Sequence, residues 1–242
     1  MTVGQLPDKR WFEYSWAKHS NPSLTYDQWS PWNEWDYSAA DRDRFSRIIL
    51  NNLDLITDKK VFDIGCLLGT LSLIMLHNSA QHVTAIDIRD DNIKIAKEVC
   101  SLAGFNNIEF YCCDLYNADQ MLQLINDCET ILFSGVFYHI NNHYQIIEQL
   151  TRSRAQNIIL ETVVNDSDQS TIDWGYEESE DHRAGSNNNL KKVMIGFPSV
   201  KFCQDLLRHH DWQIKSTDRY HYVPDSNDQA HNRCVITASR KL

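Results

Sequence analysis

The residues best placed to do chemistry lie where a predicted strand passes into a helix. In residues 61–73, VFDIGCLLGTLSL, an apolar strand leads to Asp63, and Gly65 and Gly69 follow in the turn. Gly65 allows a tight turn after the strand, and Gly69 lets the backbone pass close to a ligand at the start of the helix. A second predicted strand, HVTAIDI, ends in Asp87, where a carboxylate can accept hydrogen bonds from ribose hydroxyls. The spacing predicts a site for a nucleotide-like ligand.

The glycine spacing distinguishes two classes of nucleotide-like ligand. Dinucleotide dehydrogenases use G-x-G-x-x-G, in which the second glycine admits the pyrophosphate. In this chain Leu67 stands two residues after Gly65, so binding of a pyrophosphate is disfavoured. A ligand that carries no phosphate loses less from this exchange.

The run from Asp63 to Gly69 resembles the first motif, D-x-G-x-G-x-G, of class I S-adenosylmethionine-dependent methyltransferases, with Leu67 in place of the middle glycine. The resemblance implies S-adenosylmethionine as cofactor. It implies that Asp63 anchors the methionine amine directly or through water, that Asp87 binds the ribose, and that Asp114 accepts from the adenine amino group. It places further cofactor contacts at Gly65, Cys66, Leu67, Gly69, Ile88, Leu115 and Ser134. An Asp in such a loop can also be the N-cap of the next helix, and both roles stay open for Asp114.

Apolar periodicity predicts alternating strands and helices along most of the chain. The predicted strands are 60–65, 82–88, 108–112, 130–134, 157–162, 212–219 and 233–239, and the predicted helices are 68–77, 91–103, 118–126, 142–153 and 199–210. Such alternation is typical of a parallel sheet, and two consecutive terminal strands favour a hairpin. We therefore expect an α/β fold, a Rossmann-like, seven-stranded, mostly parallel sheet with helices on both faces. The resemblance implies an antiparallel last strand and a methyltransferase domain over residues 41–242.

The exit from the fourth strand, ILFSGVFYHINNHYQIIEQL, supplies the candidate catalytic residues. Its G-V-x-Y-H phrase is similar to that of tRNA wobble-uridine carboxymethyl transferases and related small-molecule methyltransferases. Ligands of open α/β sheets bind outside the carboxyl ends of the strands, so Tyr138 and His139 should border the reaction centre. His139 is a candidate general base, with ordering of the loop or capping of the helix that starts at Asn142 as the alternative. Tyr138 is a candidate hydrogen-bond donor to the substrate or the cofactor carboxylate, with a purely aromatic wall as the alternative. His139 and His143 are spaced like a metal pair, but no third ligand is apparent and no metal is expected.

The fifth predicted strand ends in Glu161, and an acidic insertion at residues 163–197 follows it. An insertion of this length is more often a functional loop than a plain connector. We expect Glu161 to hold an amine or another cationic group of the substrate near the methyl donor, with Trp174 and Tyr176 offering a cation–π face. The alternative is a solvated loop whose acidic residues bind nothing.

The first 40 residues are rich in aromatic side chains and poor in aliphatic ones. The aromatic residues are Trp11, Phe12, Tyr14, Trp16, Tyr26, Trp29, Trp32, Trp35 and Tyr37. We expect residues 1–40 and the insertion at 163–197 to meet over the active site as a cap that excludes water. The alternative is an N-terminal arm that packs its aromatic side chains on the outside of the core.

The charge of the chain narrows the class of substrate. The 242 residues carry 33 acidic and 23 basic side chains, a formal net charge of −10. A nucleic-acid partner is not expected, because it needs a basic face that this sequence does not offer. No apolar run reaches the length of a membrane span or a signal peptide, which predicts a cytoplasmic protein without a membrane partner. The seven cysteines include no C-x-x-C pair and are expected to be reduced core thiols.

These features predict an S-adenosylmethionine-dependent methyltransferase that acts on a small polar acceptor, with amines among the candidates. One alternative is a tRNA-modifying alkyl transferase of the G-V-x-Y-H subgroup, which would need an electropositive surface. Another is a non-catalytic binding partner that keeps the fold but has lost efficient cofactor binding, as Leu67 allows. The sequence sets neither the acceptor atom nor the oligomeric state.

Overall fold

The computed structural model describes residues 4–8, 10–23, 38–178, 192–223 and 230–240. The strands are β1 (Lys60–Ile64), β2 (His82–Asp87), β3 (Ile108–Cys112), β4 (Thr130–Ser134), β5 (Asn157–Val163), β6 (Ile172–Glu178), β7 (Lys192–Pro198), β8 (Trp212–Tyr222) and β9 (His231–Arg240). The helices are α1 (Arg10–Ser20), α2 (Ala39–Ile48), α3 (Thr70–His77), α4 (Asp90–Leu102), α5 (Ala118–Ile125), α6 (His143–Thr151) and α7 (Val200–His209). Short 3₁₀ turns cover Leu50–Leu55 and Phe137–His139. Several helices begin at a side chain that accepts a backbone N–H of the first turn, namely Ser38, Asn117, Asn142 and Ser199.

The main sheet has the strand order β3-β2-β1-β4-β5-β9-β8. Strands β1 to β5 run parallel, whereas β9 is antiparallel to both β5 and β8. From β1 the sheet continues with β2 and β3 on one side and with β4 and β5 on the other. The switch point between β1 and β4 is the position where open α/β sheets bind their ligands. The predicted seven-stranded, mostly parallel sheet with an antiparallel last strand is confirmed.

The central strands contribute to two cores, one on each face of the sheet. Successive strand residues point to opposite faces, so Val61 and Leu132 pack with α2, α3 and α4, whereas Phe62 and Phe133 pack with α5, α6 and α7. Helices therefore cover both faces, as predicted. The carboxyl ends of β1, β4 and β5 remain at the edge of these layers, where a site can form.

The insertion at residues 163–197 contains a β-hairpin, whereas we expected a loop. Strands β6 and β7 pair antiparallel, from Ile172 opposite Pro198 to Glu178 opposite Lys192, and they form a separate two-stranded sheet. In β6, partly buried and exposed residues largely alternate, which is the two-residue period of a strand. The acidity of the segment hid this pattern in the sequence. Residues 179–191 lie outside the described part of the chain.

The described part of the N-terminal segment packs on the outside of the sheet domain. Helix α1 lies against α4, where the Tyr14 hydroxyl donates to Glu98, and Lys18 Nζ lies 3.2 Å from a carboxylate oxygen of Glu98. For α1 this agrees with the alternative of an outward-packed arm. The other predicted cap residues, Tyr26, Trp29, Trp32, Trp35 and Tyr37, lie outside the described residues, so the cap over the site stays a prediction. None of the described helices has the length and apolar character needed to cross a bilayer.

Candidate active site

Three residues with left-handed backbone shape the turn between β1 and α3. The φ angle is 70° at Gly65, 50° at Leu67 and 81° at Gly69. A Cβ atom at Gly65 would lie 2.1 Å from Cγ2 of Val136, and one at Gly69 would lie 3.1 Å from Cβ of Ala96. Glycine is therefore required at Gly65 both by the backbone and by the close approach of Val136.

Leu67 takes a conformation that favours glycine although it carries a side chain. Left-handed backbone costs a non-glycine residue about 1–2 kcal/mol. The Leu67 N–H donates to Oδ2 of Asp87 at 3.0 Å, which helps to hold the turn in this conformation. The turn thus keeps a glycine-like geometry despite its departure from the family motif.

Asp87, at the end of β2, is buried and accepts hydrogen bonds from three donors. Besides the Leu67 N–H, these are the backbone N–H of Arg89 at 2.9 Å and Nδ2 of Asn92 at 3.1 Å. Burial raises the pKa of Asp87, and the hydrogen bonds oppose this rise. An ionised carboxylate has about four acceptor positions, so about one remains for a further donor. The contact of Asp87 with a ribose stays a prediction.

Asp63, near the end of β1, is a buried carboxylate without a cationic partner among the described residues. The Ser72 hydroxyl on α3 donates to its Oδ2 at 2.5 Å. Burial raises the pKa of Asp63 to about 7, the charge of Asp87 adds to the rise, and the Ser72 hydrogen bond opposes it. A cationic ligand group would stabilise the ionised form of such a carboxylate.

Asp114 is exposed after β3, and its Oδ1 accepts the N–H of Tyr116 at 2.9 Å. The alternative role as a helix N-cap is wrong, because α5 is capped by Asn117, whose side chain accepts from the Gln120 N–H. The adenine contact of Asp114 stays a prediction. The remaining predicted cofactor residues follow or end strands at the same edge of the sheet: Cys66, Ile88, Leu115 and Ser134.

Glu161, on β5, is fully buried and binds side chains from four other parts of the chain. The hydroxyls of Ser134 and Tyr220 each donate to it at 2.8 Å. Nε of Arg233 donates at 2.5 Å and Nε of Arg44 at 3.3 Å, and Nη2 of each guanidinium donates to Oε2 at 3.2 Å. Burial opposes ionisation, but the charges of Arg233 and Arg44 outweigh it and hold the pKa of Glu161 well below its usual range.

This network corrects our expectation that Glu161 anchors a cationic substrate. Both carboxylate oxygens are already bonded, and two cations are already present. A third cation would be repelled by the two guanidinium groups. Glu161 instead binds Arg44 and Arg233 and holds the two guanidinium groups together near the carboxyl ends of β4 and β5.

His139 lies in the turn after β4 and faces the inserted hairpin. Its Nδ1 is 2.9 Å from Oε2 of Glu177 on β6. Neither atom has a hydrogen-bond partner of acceptable geometry, so the approach is a close contact and not an aligned hydrogen bond. The hairpin thus places a carboxylate against the candidate base.

Tyr138 is enclosed by aromatic and cationic groups. Its ring lies parallel to that of Phe197 on β7, with centroids 6.0 Å apart and planes at 13°, and it contacts the His139 ring at 3.9 Å. The Arg233 guanidinium carbon lies 5.9 Å from the Tyr138 ring centroid. Burial raises the pKa of Tyr138, so its hydroxyl is a neutral donor. The aromatic wall and the hydrogen-bonding role both fit this geometry.

His143 is buried in the protein interior. One ring nitrogen, Nε2, is 3.0 Å from the carbonyl oxygen of Phe137, and burial lowers the pKa of His143 to about 4. Within the described ranges, no group of His, Cys, Asp and Glu side chains is arranged to hold a metal ion. Trp174 and Tyr176 are 49% and 73% exposed, and their cation–π role stays a prediction.

Arg44, Arg233 and the contact between Glu177 and His139 were not predicted from the sequence. Arg44 and Arg233 lie far along the chain from Glu161, so no local spacing links them. One signal was available for Arg233, because it stands directly at the start of the apolar run RCVITA. A charge in an otherwise buried strand indicates a buried ion pair.

Two solved structures share the fold over nearly the whole chain. The N-terminal domain of EvdMO1, crystallised in the presence of SAH and D-fucose, superposes with a TM-score of 0.65 at 16% identity and 98% coverage of both chains. Magnesium protoporphyrin IX methyltransferase (ChlM) from Synechocystis PCC 6803, with bound SAM, has a TM-score of 0.56 at 16% identity, covering 99% of this chain and 100% of that chain. The ChlM structure thus holds the cofactor that the sequence predicts for this chain.

Sequence comparison gives one short match and one long one. Protein arginine N-methyltransferase 1 from Saccharomyces cerevisiae is 38% identical over 63 residues, which are 26% of this chain and only 18% of that protein. The family model described as "Methyltransferase domain" matches residues 56–219. This match covers more than half of the chain and runs from before β1 into β8. The chain therefore belongs to the methyltransferase domain family.

Proposed function

We propose that this protein transfers a methyl group from S-adenosylmethionine to a small polar acceptor at the carboxyl ends of β1, β4 and β5. The observation that carries the proposal is Asp63, a buried carboxylate beside the glycine turn whose described partner is the neutral Ser72 hydroxyl. When bound, S-adenosylmethionine supplies an electrophilic methyl group on a sulfonium and an ammonium group suited to this carboxylate.

The residues around the turn fit this cofactor in shape and in chemistry. At Gly65 the backbone approaches Val136 more closely than a Cβ allows, and at Gly69 a Cβ would be in tight contact with Ala96. Both glycines also have the left-handed backbone that the turn requires. Asp63 would hold the ammonium, Asp87 has about one acceptor position left for a ribose hydroxyl, and exposed Asp114 would accept from the adenine amino group. The cofactor carries no phosphate, so Leu67 is tolerated.

We assign removal of the acceptor proton to His139. The approach of Glu177 Oε2 to Nδ1 favours the tautomer that carries its proton on Nδ1. Nε2 is then free to accept a proton from an acceptor hydroxyl or amine. Glu177 is a positioning residue, which orients the imidazole and stabilises the imidazolium that forms. The Tyr138 hydroxyl is a donor for a polar group of the acceptor.

The β6–β7 hairpin supports the water-excluding role proposed for the 163–197 insertion. Phe197 covers Tyr138, and Glu177 reaches His139, so both strands of the hairpin contact the turn after β4. Exclusion of water would strengthen the electrostatic interactions in the site and protect the methyl donor from hydrolysis.

Calorimetric titration with S-adenosylmethionine and S-adenosylhomocysteine tests the cofactor site. The wild type should bind both with a Kd near the micromolar scale. Asp63→Asn should weaken S-adenosylmethionine binding by about tenfold or more, because a hydrogen bond to a charged group contributes about 1.5–3 kcal/mol. Asp90→Asn is the matched control, since Asp90 is exposed and pairs with Lys94 at the surface. Failure of the wild type to bind either ligand would contradict the proposal and leave a non-catalytic methyltransferase fold.

A screen of hydroxyl and amine acceptors, with S-adenosylhomocysteine formation as readout, tests the role of His139 and Glu177. Glu177→Gln should lower kcat by about 10- to 100-fold and change the acceptor KM little, because Glu177 acts through His139. Glu178→Gln is the control, since the neighbouring Glu178 is exposed and pairs with Lys192. Equal kcat values for the two variants would remove Glu177 from the mechanism.

A further inference from the structure

We propose that the methyl acceptor carries a carboxylate, which binds to the guanidinium groups of Arg44 and Arg233. These groups lie beside the turn at residues 65–69, the cofactor turn. This inference rests on the proposed function, because it names the substrate class of the same site. It replaces the cationic acceptor that the sequence suggested with an anionic one.

The first step is the charge of the buried cluster. Two guanidinium groups share one carboxylate, Glu161, and these are the ion pairs that Arg44 and Arg233 form among the described residues. The side chain of Glu161 is fully buried, and those of Arg233 and Arg44 are 6% and 23% exposed. A buried cluster with one positive charge in excess is costly unless an anion completes it.

The other acidic side chains nearby are held by other partners. Asp41 accepts from the Tyr222 hydroxyl at 3.1 Å, and Glu177 lies against His139. Within the described ranges, Glu161 is thus the acid that forms ion pairs with the two guanidinium groups. A second carboxylate in direct contact with them is left for a ligand to supply.

The second step is the count of hydrogen-bond donors. Arg44 and Arg233 each use Nε and Nη2 to bind Glu161. Each guanidinium has five N–H donors, and the two N–H groups of Nη1 have no protein acceptor among the described contacts. Guanidinium groups are well suited to carboxylates, because the planar donor fork matches the two oxygens.

The third step is the position of the cluster relative to the cofactor turn. Nη2 of Arg44 lies 3.3 Å from the point where a Cβ of Gly135 would stand, and the next residue, Val136, packs directly against Gly65. Gly135 and Val136, the two residues that follow β4, thus lie between the Arg44 guanidinium and the turn that would hold the methyl donor. An anion bound there would lie beside the reaction centre.

The surrounding rings complete a site for a small organic anion. The Arg233 guanidinium lies against the rings of Tyr138 and Tyr222, at 5.9 Å from each centroid, and Phe197 covers the Tyr138 ring on the hairpin side. The apolar walls would contact the body of the acceptor while the guanidinium groups bind its carboxylate. His139, next to Tyr138, would face the atom that accepts the methyl group.

Matched pairs of carboxylates and amides test the inference, since the two members of a pair differ mainly in charge. Benzoate with benzamide and acetate with acetamide would be titrated calorimetrically into the protein saturated with S-adenosylhomocysteine. At least one carboxylate should bind about tenfold or more tightly than its amide. Arg44→Gln should reduce the affinity for that carboxylate to the level of the amide, and Arg44→Lys should give an intermediate loss.

Arg208→Gln is the control for this test. Arg208 lies on α7 and pairs with Asp205 at the surface, so its removal should leave the preference for carboxylates unchanged. Thermal unfolding followed by circular dichroism shows whether each variant is folded, and the comparison of carboxylate with amide in the wild type needs no variant.

The possible outcomes separate this inference from the proposed function. Binding of S-adenosylhomocysteine without any preference for carboxylates over amides would overturn the anionic acceptor and leave the proposed function intact. A carboxylate preference that survives Arg44→Gln would likewise overturn the assignment. Absence of S-adenosylhomocysteine binding would count against the proposed function itself.

Discussion

Asp63 and Glu161 are both buried carboxylates at the ends of parallel strands, yet their surroundings act on them in opposite directions. Burial raises the pKa of Asp63 to about 7, because its described partner is a hydroxyl. Two guanidinium groups hold the pKa of Glu161 well below its usual range although it is equally buried. Asp63 is therefore the carboxylate that gains from a cationic ligand, and Glu161 is one that already has its cations.

The free energy of unfolding of the ligand-free protein should fall as the pH rises through the Asp63 titration. Between about pH 4 and pH 7 the folded state holds a proton on Asp63 that the unfolded state releases, so stability decreases across this window and is constant above it. Asp63→Asn removes the charge. It should be more stable than the wild type by about 2–4 kcal/mol near pH 8 and nearly equal near pH 4.

Urea unfolding at a series of pH values measures this difference. Asp90→Asn serves again as the control, because its carboxylate is exposed and its removal should change stability by less than about 1 kcal/mol at every pH. A stability difference between Asp63→Asn and the wild type that does not vary with pH would show that folding does not raise the pKa of Asp63.

Loss of the Glu161 carboxylate should be strongly destabilising. Glu161→Gln leaves the Arg44 and Arg233 guanidinium groups without their shared anion, and breaking a buried ion pair costs about 3–5 kcal/mol. Asp205→Asn is the comparison, because Asp205 pairs with Lys201 at the surface and its loss should cost less than about 1 kcal/mol. Equal midpoints of urea unfolding for the two variants would contradict the importance given to the Glu161 network.

At the scale of elements, the hairpin depends on a close approach between its two strands. A Cβ at Gly196 would lie 2.8 Å from the Trp174 ring and 2.9 Å from Cγ2 of Ile172, whereas one at Gly175 would meet Phe197 at an ordinary 3.5 Å. Gly196→Ala should therefore be less stable locally than Gly175→Ala by about 1–2 kcal/mol. Hydrogen exchange of the β6 and β7 amides measures this local stability.

The outcome of that comparison also bears on the proposed function. Faster exchange confined to the hairpin in Gly196→Ala, with the main sheet unchanged, would show that the hairpin opens independently of the methyltransferase core. Exchange at the same rate in both glycine variants would mean that the strands can separate to admit a Cβ without loss of pairing.

The elements of the main sheet were predictable because their signals are local. Buried parallel strands such as β4 appear in the sequence as short apolar runs. Helix α4 is marked by apolar residues that recur on one face and by a glycine shortly after its end. The predicted bounds of the seven strands and five helices differ from the observed ones by a few residues at most. Strands β6 and β7 were missed for two reasons. They pair with each other and not with the main sheet, and the insertion that contains them is acidic, which hides the strand pattern.

The cofactor turn was predictable for the same reason, whereas the cluster of Glu161, Arg44 and Arg233 was not. Gly65, Gly69 and Asp87 follow from the chain direction and from strand ends, which a sequence reveals. The contacts of Glu161 with Arg44 and Arg233 join positions 117 and 72 residues apart. In α2, Arg44 stands among other charged residues and looks like part of a solvated face. Only tertiary packing distinguishes it from Arg47.

At the scale of the whole molecule, burial of the thiols gives a simple test of the fold. All seven cysteines are free, and six of them are buried, whereas Cys112 is exposed. A thiol-specific chromogenic reagent such as Ellman's reagent should therefore modify one thiol in the native protein and seven in urea. Partial desolvation by the surrounding protein and the nearby charges of Asp90 and Asp87 raise the pKa of the Cys112 thiol, so it should react more slowly than the thiol of an unstructured peptide.

The Cys112→Ser variant identifies the reactive thiol, because it should show no fast modification in the native state. Rapid modification of several thiols in the native protein would contradict the packing of the two cores, in which Cys66, Cys100, Cys113, Cys128, Cys203 and Cys234 take part.

The position of β9 has a consequence for biosynthesis. This strand lies between β5 and β8 in the sheet, although it is the last described strand to leave the ribosome. Until it inserts, β5 has an open edge, and Glu161 has Arg44 but lacks Arg233. The cofactor turn, built from β1, β2 and β4, can form earlier from contacts closer in sequence. A nascent chain would therefore complete the end that holds the methyl donor before the end that selects the acceptor, and synthesis that stops before residue 231 would yield a protein without a finished acceptor site.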